Sequence, residues 1–243
     1  MQIFVEQSYF DKNIKDVSEK SEIEIISKVP KCDSYFTYDS KGLSFIGNAD
    51  NPKNFLNVNF LTGKLGWRIK RADHEGNLKK ALGRTKESLH IFDATAGLLA
   101  DSLIFLSLGH RVVAVEQSKI ICLLVNDAIH RAKNIIPFLE NIKLIHGNSI
   151  DIFKKLNACF DVVYLDPMYP VIKKNVKKSG DLDSVRSILE IEKIYPDENI
   201  LIENFIKTDY KKLILKRPLK SKKIYSNINY QVKGKTTRFD IYL

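Results

Sequence analysis

The segment HIFDATAGLLAD, residues His90–Asp101, decides the fold of this 243-residue chain. Its apolar start is typical of a buried strand that ends on an acid, and small residues then lead into a turn and a helix. The segment VVYLDPMYP, residues Val162–Pro170, repeats this plan with a buried strand that ends on Asp166. Two buried strands followed by such loops predict a doubly wound α/β sheet, with a ligand across the carboxyl ends of the strands.

Strands and helices alternate through the rest of the C-terminal two thirds. Predicted strands cover residues 89–93, 111–116, 142–146, 160–166 and 212–216, and predicted helices cover residues 77–82, 98–108, 119–133, 149–156, 182–193 and 198–207. The alternation predicts a mostly parallel, Rossmann-like sheet with right-handed crossovers. Two last strands, over 224–232 and 237–242, would give it an antiparallel C-terminal edge.

The first 75 residues have a different pattern. Short apolar or alternating runs are separated by turn signals such as Lys41-Gly42 and Asn51-Pro52, and residues 11–20 favour a helix. We therefore expect a small N-terminal α+β domain over 1–75, ahead of a main domain over 76–243. Its end is basic and aromatic, with Trp67, Arg68 and Arg71, and is either a solvated strand face or a nucleic-acid contact in which Trp67 stacks on a base.

Composition limits the class of protein. The formal net charge of +10 favours a polyanionic partner such as nucleic acid, although a lysine-rich genome would also produce it. The three cysteines are far apart and form neither a CxxC pair nor a metal-binding spacing, which fits a reducing cytoplasm and predicts no metal site. No apolar run reaches 18 residues, and the N-terminus lacks a basic signal-peptide region, so we expect no contact with a membrane.

The loop Asp93–Gly97 and the acid Glu116 suggest a ligand that contains ribose. Glu116 ends the second strand 19 positions after Gly97, the spacing at which an acid reaches ribose hydroxyls in nucleotide-binding α/β folds. The loop is not GxGxxG, and nothing in it resembles a phosphate cradle. S-adenosylmethionine (SAM) therefore fits better than a dinucleotide. The third interpretation of the loop is an ordinary structural turn that binds no ligand.

The tetrapeptide Asp166-Pro167-Met168-Tyr169 is a sharper signal. Asp or Asn, two prolines and an aromatic residue after the fourth strand are typical of methyltransferases that act on exocyclic amines. A carboxylate and a backbone carbonyl can hold the amine by hydrogen bonds, proline sets the direction of that carbonyl, and the aromatic ring stacks on an extruded base. Catalytic roles are thus expected for Asp166, Pro167 and Tyr169; an ordinary turn after a strand is the alternative.

Seven stretches together resemble the RsmJ family, bacterial small-subunit (16S) ribosomal RNA guanine-N2 methyltransferases that use SAM. They are DATAGL with Asp101, SLGHRVVAVE, LIHGNS, DVVYLDPMYP, VKK, LKRP and RFDIY, in order across most of residues 64–243. The resemblance implies an enzyme of rRNA processing and ribosome biogenesis that works in the cytoplasm on rRNA or the small subunit, and we expect a monomer. Other amine methyltransferases, such as N6-adenine enzymes, and an RNA- or ribosome-binding protein that has lost SAM remain alternatives.

The resemblance also implies roles for individual residues. Cofactor binding is expected for Asp93 and Gly97 from the loop itself, and the resemblance implies it for Ala100, Asp101, Glu116, Gln117, Asn148, Ser149 and Asp166. RNA contacts are expected for Arg68, Arg71, Lys177, Lys178, Lys216 and Arg217. The family pattern continues DATAGLGRD, but Leu99 and Ala100 stand here in place of glycine and arginine. A side chain at Leu99 is therefore expected to narrow the cofactor pocket or to change the turn.

Overall fold

Two β-sheets and eight α-helices make up the described part of the chain. The computed structural model describes residues 1–30, 33–168, 180–195, 197–223 and 227–243. The strands are β1 (Gln2–Val5), β2 (Glu24–Ile26), β3 (Tyr35–Asp39), β4 (Gly42–Ile46), β5 (Phe55–Asn57), β6 (His90–Asp93), β7 (Arg111–Glu116), β8 (Ile142–His146), β9 (Val162–Leu165), β10 (Leu213–Pro218), β11 (Tyr230–Lys233) and β12 (Thr237–Tyr242). The helices are α1 (Lys12–Ser21), α2 (Gly63–Lys70), α3 (Gly76–Leu82), α4 (Ser102–Ser107), α5 (Lys119–Ala132), α6 (Ser149–Leu156), α7 (Gly180–Ile191) and α8 (Glu198–Ile206). Among these helices, none combines the length and the apolar character that a membrane crossing needs.

The larger sheet confirms the predicted α/β fold. Its seven strands follow the order β11-β12-β10-β9-β6-β7-β8, with β12 antiparallel to both of its neighbours and the other pairs parallel. β6 lies between β7 and β9, so the chain leaves it in one direction and later returns to its other side. This reversal places a ligand-binding crevice at the carboxyl end of β6.

Both faces of the larger sheet are covered, which explains why its parallel strands are apolar throughout. Ile91 and Phe92 are successive residues of β6, and because strand side chains alternate they belong to two different hydrophobic clusters. One cluster includes residues of α4, α5 and α7, and the other is packed by residues of α6 and α8. The core is therefore a three-layer helix–sheet–helix arrangement.

The smaller sheet, in the order β2-β1-β3-β4-β5, packs on the same core. Its residues Ile3, Phe36 and Phe45 join the hydrophobic cluster that also contains Ile91 of β6 and Leu124 of α5. Residues 1–75 thus contain a sheet of their own but share a continuous core with the rest of the chain. We propose that they form an N-terminal domain docked on the larger one.

A buried acid joins the smaller sheet to helix α5, which packs on the larger sheet. Asp127 of α5 accepts a hydrogen bond from the Leu43 backbone N–H at 2.9 Å and from Arg131 Nε at 2.7 Å. Arg131 also donates to the Val58 carbonyl at 2.6 Å. Gly42, at φ +86°, leaves room for this pair, because a Cβ there would lie 2.2 Å from Arg131 Nε.

Asp127→Asn is expected to lower the free energy of unfolding by about 1–3 kcal/mol. Asparagine keeps an acceptor for the Leu43 N–H but removes the charge that pairs with Arg131. Urea unfolding measures the loss. Glu140→Gln makes the same charge change at an exposed position and should leave the unfolding midpoint unchanged; an equal effect of both variants would contradict the role of Asp127 as a link.

The structure corrects the prediction at three places. The strand predicted over 224–232 is shorter, because residues 227–229 lie outside any strand and β11 covers only Tyr230–Lys233. One interpretation of residues 64–71 was a solvated strand face, but Gly63–Lys70 is a helix. Leu65 and Ile69 are four residues apart and both pack against the core, which is the spacing of a helix. The helix predicted over 98–108 begins only at Ser102. Leu99 instead adopts φ +62°, a left-handed conformation that ends the preceding turn.

Candidate active site

A cavity of about 510 Å³ opens at the carboxyl edge of the larger sheet, where β6, β7, β8 and β9 end. Its volume lies within the range of about 300–1,000 Å³ typical of small-molecule sites. The ends of these strands and the segments that follow them supply Ala94, Thr95, Gly97, Val115, Glu116, Gln117, Gly147, Asn148, Ser149, Asp166, Pro167 and Met168 to its lining. Six residues predicted as cofactor ligands are thereby brought together: Gly97, Glu116, Gln117, Asn148, Ser149 and Asp166.

Asp93 organises the loop after β6 from within the protein. It is buried, and its two oxygens accept hydrogen bonds from the Thr95 N–H at 3.1 Å and the Ser102 hydroxyl at 2.5 Å. Burial raises the pKa of Asp93 to about 7, although these two hydrogen bonds oppose the rise. Thr95 in turn accepts from the Asp166 N–H at 2.6 Å, so one chain of contacts joins the loops after β6 and β9.

Of the two effects expected for Leu99, a narrower pocket and a changed turn, the structure does not show the first. The Leu99 side chain is completely buried in the hydrophobic core, and it is not among the described residues that line the cavity. Leu99 stands in a left-handed conformation that costs an ordinary residue roughly 1–2 kcal/mol, which explains why glycine would suit this position. Burial of the leucine side chain offsets that cost.

Backbone N–H groups hold the Glu116 carboxylate in the lining of the cavity. Its Oε2 accepts from the Gly97 N–H at 2.8 Å and its Oε1 accepts from the Ser118 N–H at 2.7 Å. A carboxylate has about four acceptor sites, so these contacts leave capacity for a ligand in the cavity that Glu116 lines. Burial raises the pKa of Glu116, and the backbone N–H groups oppose that rise.

Asp166 lies in a cluster of alternating charges. Lys216 Nζ donates to both Asp166 Oδ2 and Asp101 Oδ2 at 2.8 Å, and Arg68 donates to Asp101 Oδ1 at 2.6 Å. Tyr164 donates its hydroxyl to Asp101 as well. The cluster joins β9, β10 and the start of α4 to helix α2.

The charges in this cluster set the protonation of its two acids. Burial acts to raise the pKa of Asp101, but Lys216 and Arg68 overcome it and lower that pKa to about 2. Burial raises the pKa of Asp166, and Lys216 opposes the rise. Asp101 is therefore ionised at every physiological pH, and Lys216 favours the ionised form of Asp166.

Three predicted cofactor ligands take other positions. Asp93, Ala100 and Asp101 are not among the described residues that line the cavity. Asp93 and Asp101 are buried, and their oxygens hold Ser102, Tyr164 and the two cations, while the Ala100 carbonyl accepts from Arg68 at 2.7 Å. These residues shape the site and do not face the cavity.

Four of the predicted RNA contacts can be located. Arg68 and Lys216 are partly buried in the charge cluster, and Arg217 is buried. Arg71 lies at the surface with its guanidinium 4.8 Å from the centre of the Trp67 ring, and Trp67 is 62% exposed. Lys177, Lys178 and the predicted stacking residue Tyr169 lie outside the described residues.

One wall of the cavity was missed by the sequence reasoning. It is formed by helices α7 and α8 and their connection, with Val185, Leu189, Ile194, Tyr195, Asp197, Ile200, Leu201 and Asn204. Glu192, just beyond α7, anchors this wall by accepting from the Ser118 hydroxyl and, at 3.1 Å, from the Ile120 N–H. Apolar residues at helical spacing look like ordinary core residues in a sequence, so no local signal distinguished these.

The charge of the lining limits what the cavity can bind. The described lining residues include the acids Glu116, Asp151, Asp166 and Asp197 and no lysine or arginine. Such a lining repels phosphate groups and suits a ligand with ribose hydroxyls and a positive charge. Apolar side chains such as Val115, Ile121 and Ile150 can pack against a flat ring. SAM, which has an adenosine and a sulfonium but no phosphate, fits this donor and acceptor set. In the described part of the chain, no three His, Cys, Asp or Glu residues are grouped as a metal site would need.

The chain is similar to known methyltransferases. A family model for SAM-dependent methyltransferases matches residues 19–243. A ribosomal RNA small subunit methyltransferase J from Thioalkalivibrio sulfidiphilus is 30% identical over 213 residues, which are 84% of this chain and 82% of that protein. One from Pseudoalteromonas translucida is 33% identical over 214 residues, or 85% of this chain and 83% of that protein.

A solved structure has the same fold. The crystal structure of the SAM-dependent methyltransferase NGO1261 from Neisseria gonorrhoeae superposes with a TM-score of 0.67. The comparison covers 100% of this chain and 96% of that one, at 24% identity.

Proposed function

Since the chain belongs to the ribosomal RNA small subunit methyltransferase J family of SAM-dependent methyltransferases, we propose that it methylates the exocyclic N2 amine of a guanosine in small-subunit (16S) rRNA. The observation that carries the proposal is that Asp166 and Pro167 line an acidic cavity that suits SAM and not a phosphate-bearing cofactor. A ribosomal substrate would place the enzyme in the cytoplasm.

The proposed mechanism needs little beyond positioning. When bound, SAM supplies a methyl group that its sulfonium has already activated. Asp166 accepts a hydrogen bond from the target amine and would take up the proton that the nitrogen loses as it gains the methyl group. The Pro167 carbonyl accepts the second hydrogen bond. Lys216 favours the ionised form of Asp166 and holds its carboxylate in place. Tyr169, by resemblance to the family, would stack on the extruded base.

Methyl transfer tests the proposal directly. Small ribosomal subunits from a strain without the methyltransferase are incubated with tritiated SAM and the wild-type protein, and the methylated nucleoside is identified by mass spectrometry. N2-methylguanosine is the expected product. N6-methyladenosine would instead support the alternative of an adenine methyltransferase, and absence of transfer by a protein that binds SAM would refute the substrate assignment.

Glu116→Gln is expected to weaken SAM binding about 10–100-fold, because hydrogen bonds to a charged group contribute about 1.5–3 kcal/mol. Titration calorimetry measures the dissociation constant, with the exposed Glu87→Gln as the matched control. Because the pKa of Glu116 is raised, its ionised form is lost at a higher pH than that of an ordinary glutamate. Wild-type affinity should therefore fall as the pH drops through that raised pKa, and the variant should lose this dependence. Normal SAM affinity of the Glu116→Gln variant at every pH would contradict the role.

A further inference from the structure

The last strands of the protein carry an uninterrupted positive charge. Residues 210–239 contain eight lysines and two arginines and no aspartate or glutamate. The sequence pattern by itself is equally consistent with a solvated surface. The structure shows that these residues are gathered in one place.

Two short connections bring five of the lysines together. β10 and β12 pair so that Pro218 lies opposite Thr237, and the Leu219 N–H donates to the Thr236 carbonyl at 2.8 Å. The segment 219–223 after β10 and the turn 234–236 between β11 and β12 are therefore neighbours. They and the end of β11 carry Lys220, Lys222, Lys223, Lys233 and Lys235, all exposed, which we call the C-terminal lysine patch.

A buried arginine orders the segment that carries three of them. Arg238 is only 3% exposed, and its NH1 group donates to the carbonyls of Pro218, Leu219 and Ser221 at 3.1, 3.0 and 2.7 Å. Asp240 balances its charge through Nε at 2.9 Å. The backbone carbonyls thus face Arg238 while the lysine side chains are exposed. A segment ordered in advance loses less entropy when it binds a partner.

The patch lies on the same edge of the sheet as the candidate active site. Lys216 of β10 contacts Asp166, and Lys220 follows four residues later, at most about 14 Å along the chain. A polyanion bound on the patch would therefore pass within a few nucleotides of the acceptor amine.

We propose that the C-terminal lysine patch binds the phosphate backbone of the rRNA beside the target nucleotide. This inference rests on the proposed function. Lysines suit phosphates as point charges, and such contacts fix the position of a nucleic acid without reading its sequence. Lysine also protects the edges of sheets from pairing, but only Lys233 lies on the edge strand β11, so this explanation does not cover the other four.

A salt series of binding measurements tests the patch. The triple variant Lys220→Gln, Lys222→Gln, Lys223→Gln removes three charges and keeps side chains of similar size. The matched control is Lys133→Gln, Lys154→Gln, Lys155→Gln. Those lysines are exposed near the C-terminal ends of α5 and α6, which return to the opposite edge of the sheet. Dissociation constants for deproteinised small-subunit rRNA are measured by filter binding, and SAM affinity is measured by calorimetry for every protein.

The expected result is a loss of about tenfold or more in rRNA affinity by the patch variant alone. For this variant, the plot of the logarithm of the association constant against the logarithm of the salt concentration should become less steep. The magnitude of its slope should fall by roughly 2, since each lost phosphate contact removes about 0.7–0.9. SAM affinity should stay at the wild-type value. A patch variant that binds rRNA like the wild type, or no worse than the control triple, overturns the inference and leaves the proposed function intact. Wild-type protein that neither binds nor methylates rRNA overturns both.

Discussion

Asp166→Ala is expected to lower kcat for methyl transfer by about 10²–10³-fold, the usual cost of removing one oriented hydrogen-bonding partner from a reacting group. The carboxylate is the group proposed to aim the acceptor amine at the methyl donor. Asp166 is held from both sides, because its N–H donates to Thr95 and its Oδ2 accepts from Lys216 at 2.8 Å. Single-turnover transfer from tritiated SAM to small subunits measures the effect.

Two further variants separate positioning from charge. Asp166→Asn keeps an acceptor oxygen but not the negative charge, so its kcat should lie between those of the wild type and the alanine variant. Glu19→Ala removes an acid from the exposed face of α1 and should leave kcat unchanged. Calorimetry with SAM shows whether the cavity is still intact. If Asp166→Ala kept the wild-type kcat, the amine would have to be held by another group.

The second large effect is expected for stability. Asp101→Ala should lower the free energy of unfolding by about 3–5 kcal/mol, because it leaves the partly buried cations Arg68 and Lys216 without their shared partner. Tyr164 would also lose the acceptor of its buried hydroxyl. Urea unfolding at neutral pH measures the loss. Asp73→Ala removes an acid that is 94% exposed, and it should leave the unfolding midpoint unchanged.

The contribution of Asp101 to the free energy of unfolding depends on pH. The pKa of Asp101 is lowered to about 2 in the folded protein, against about 3.9 in an unfolded chain. The stability that this acid contributes is thus fully present above about pH 4 and is lost as the pH falls toward 2. The gap between wild type and Asp101→Ala should therefore narrow in acid. Combining Lys216→Met with Asp101→Ala should cost less than the sum of the two single losses, since the Asp101–Lys216 pair is already broken in either single variant; a double variant with strictly additive losses would contradict the ion-pair explanation.

Local patterns determined much of the site. Asp93 and Asp166 each end an apolar strand, and Gly97 and Glu116 have a spacing that follows from the length of one strand–helix–strand unit. Parallel strands bring their carboxyl ends to one edge, so these loops had to meet once the α/β alternation was recognised. The family resemblance added the acceptor and narrowed the ligand to SAM. All of this depends on residues that are close in sequence or related by a regular fold.

Side-chain partners that are distant in sequence could not be predicted in this way. The sequence predicted Arg68 and Lys216 as RNA contacts, yet in the structure both bind Asp101. Arg68 precedes Asp101 by 33 positions, and Lys216 follows it by 115. A narrower pocket was one of the two effects predicted for Leu99, yet its backbone is left-handed and its side chain is buried in the core. Trp67, Arg68 and Ile69 alternate like a strand, but contacts of Leu65 and Ile69 with the core make the segment a helix.

The sequence by itself determined the α/β class, the edge at which the ligand binds and the acids of the two key loops, because hydrophobic period, turn chemistry and strand-end position are local properties. Only the tertiary structure decided which charges face the cavity and which neutralise one another inside the protein. It also supplied the α7–α8 wall and the ordering of the lysine patch by Arg238. These features depend on packing between segments up to about half the chain apart, and the energy of a buried charge depends on the partner that packing brings to it.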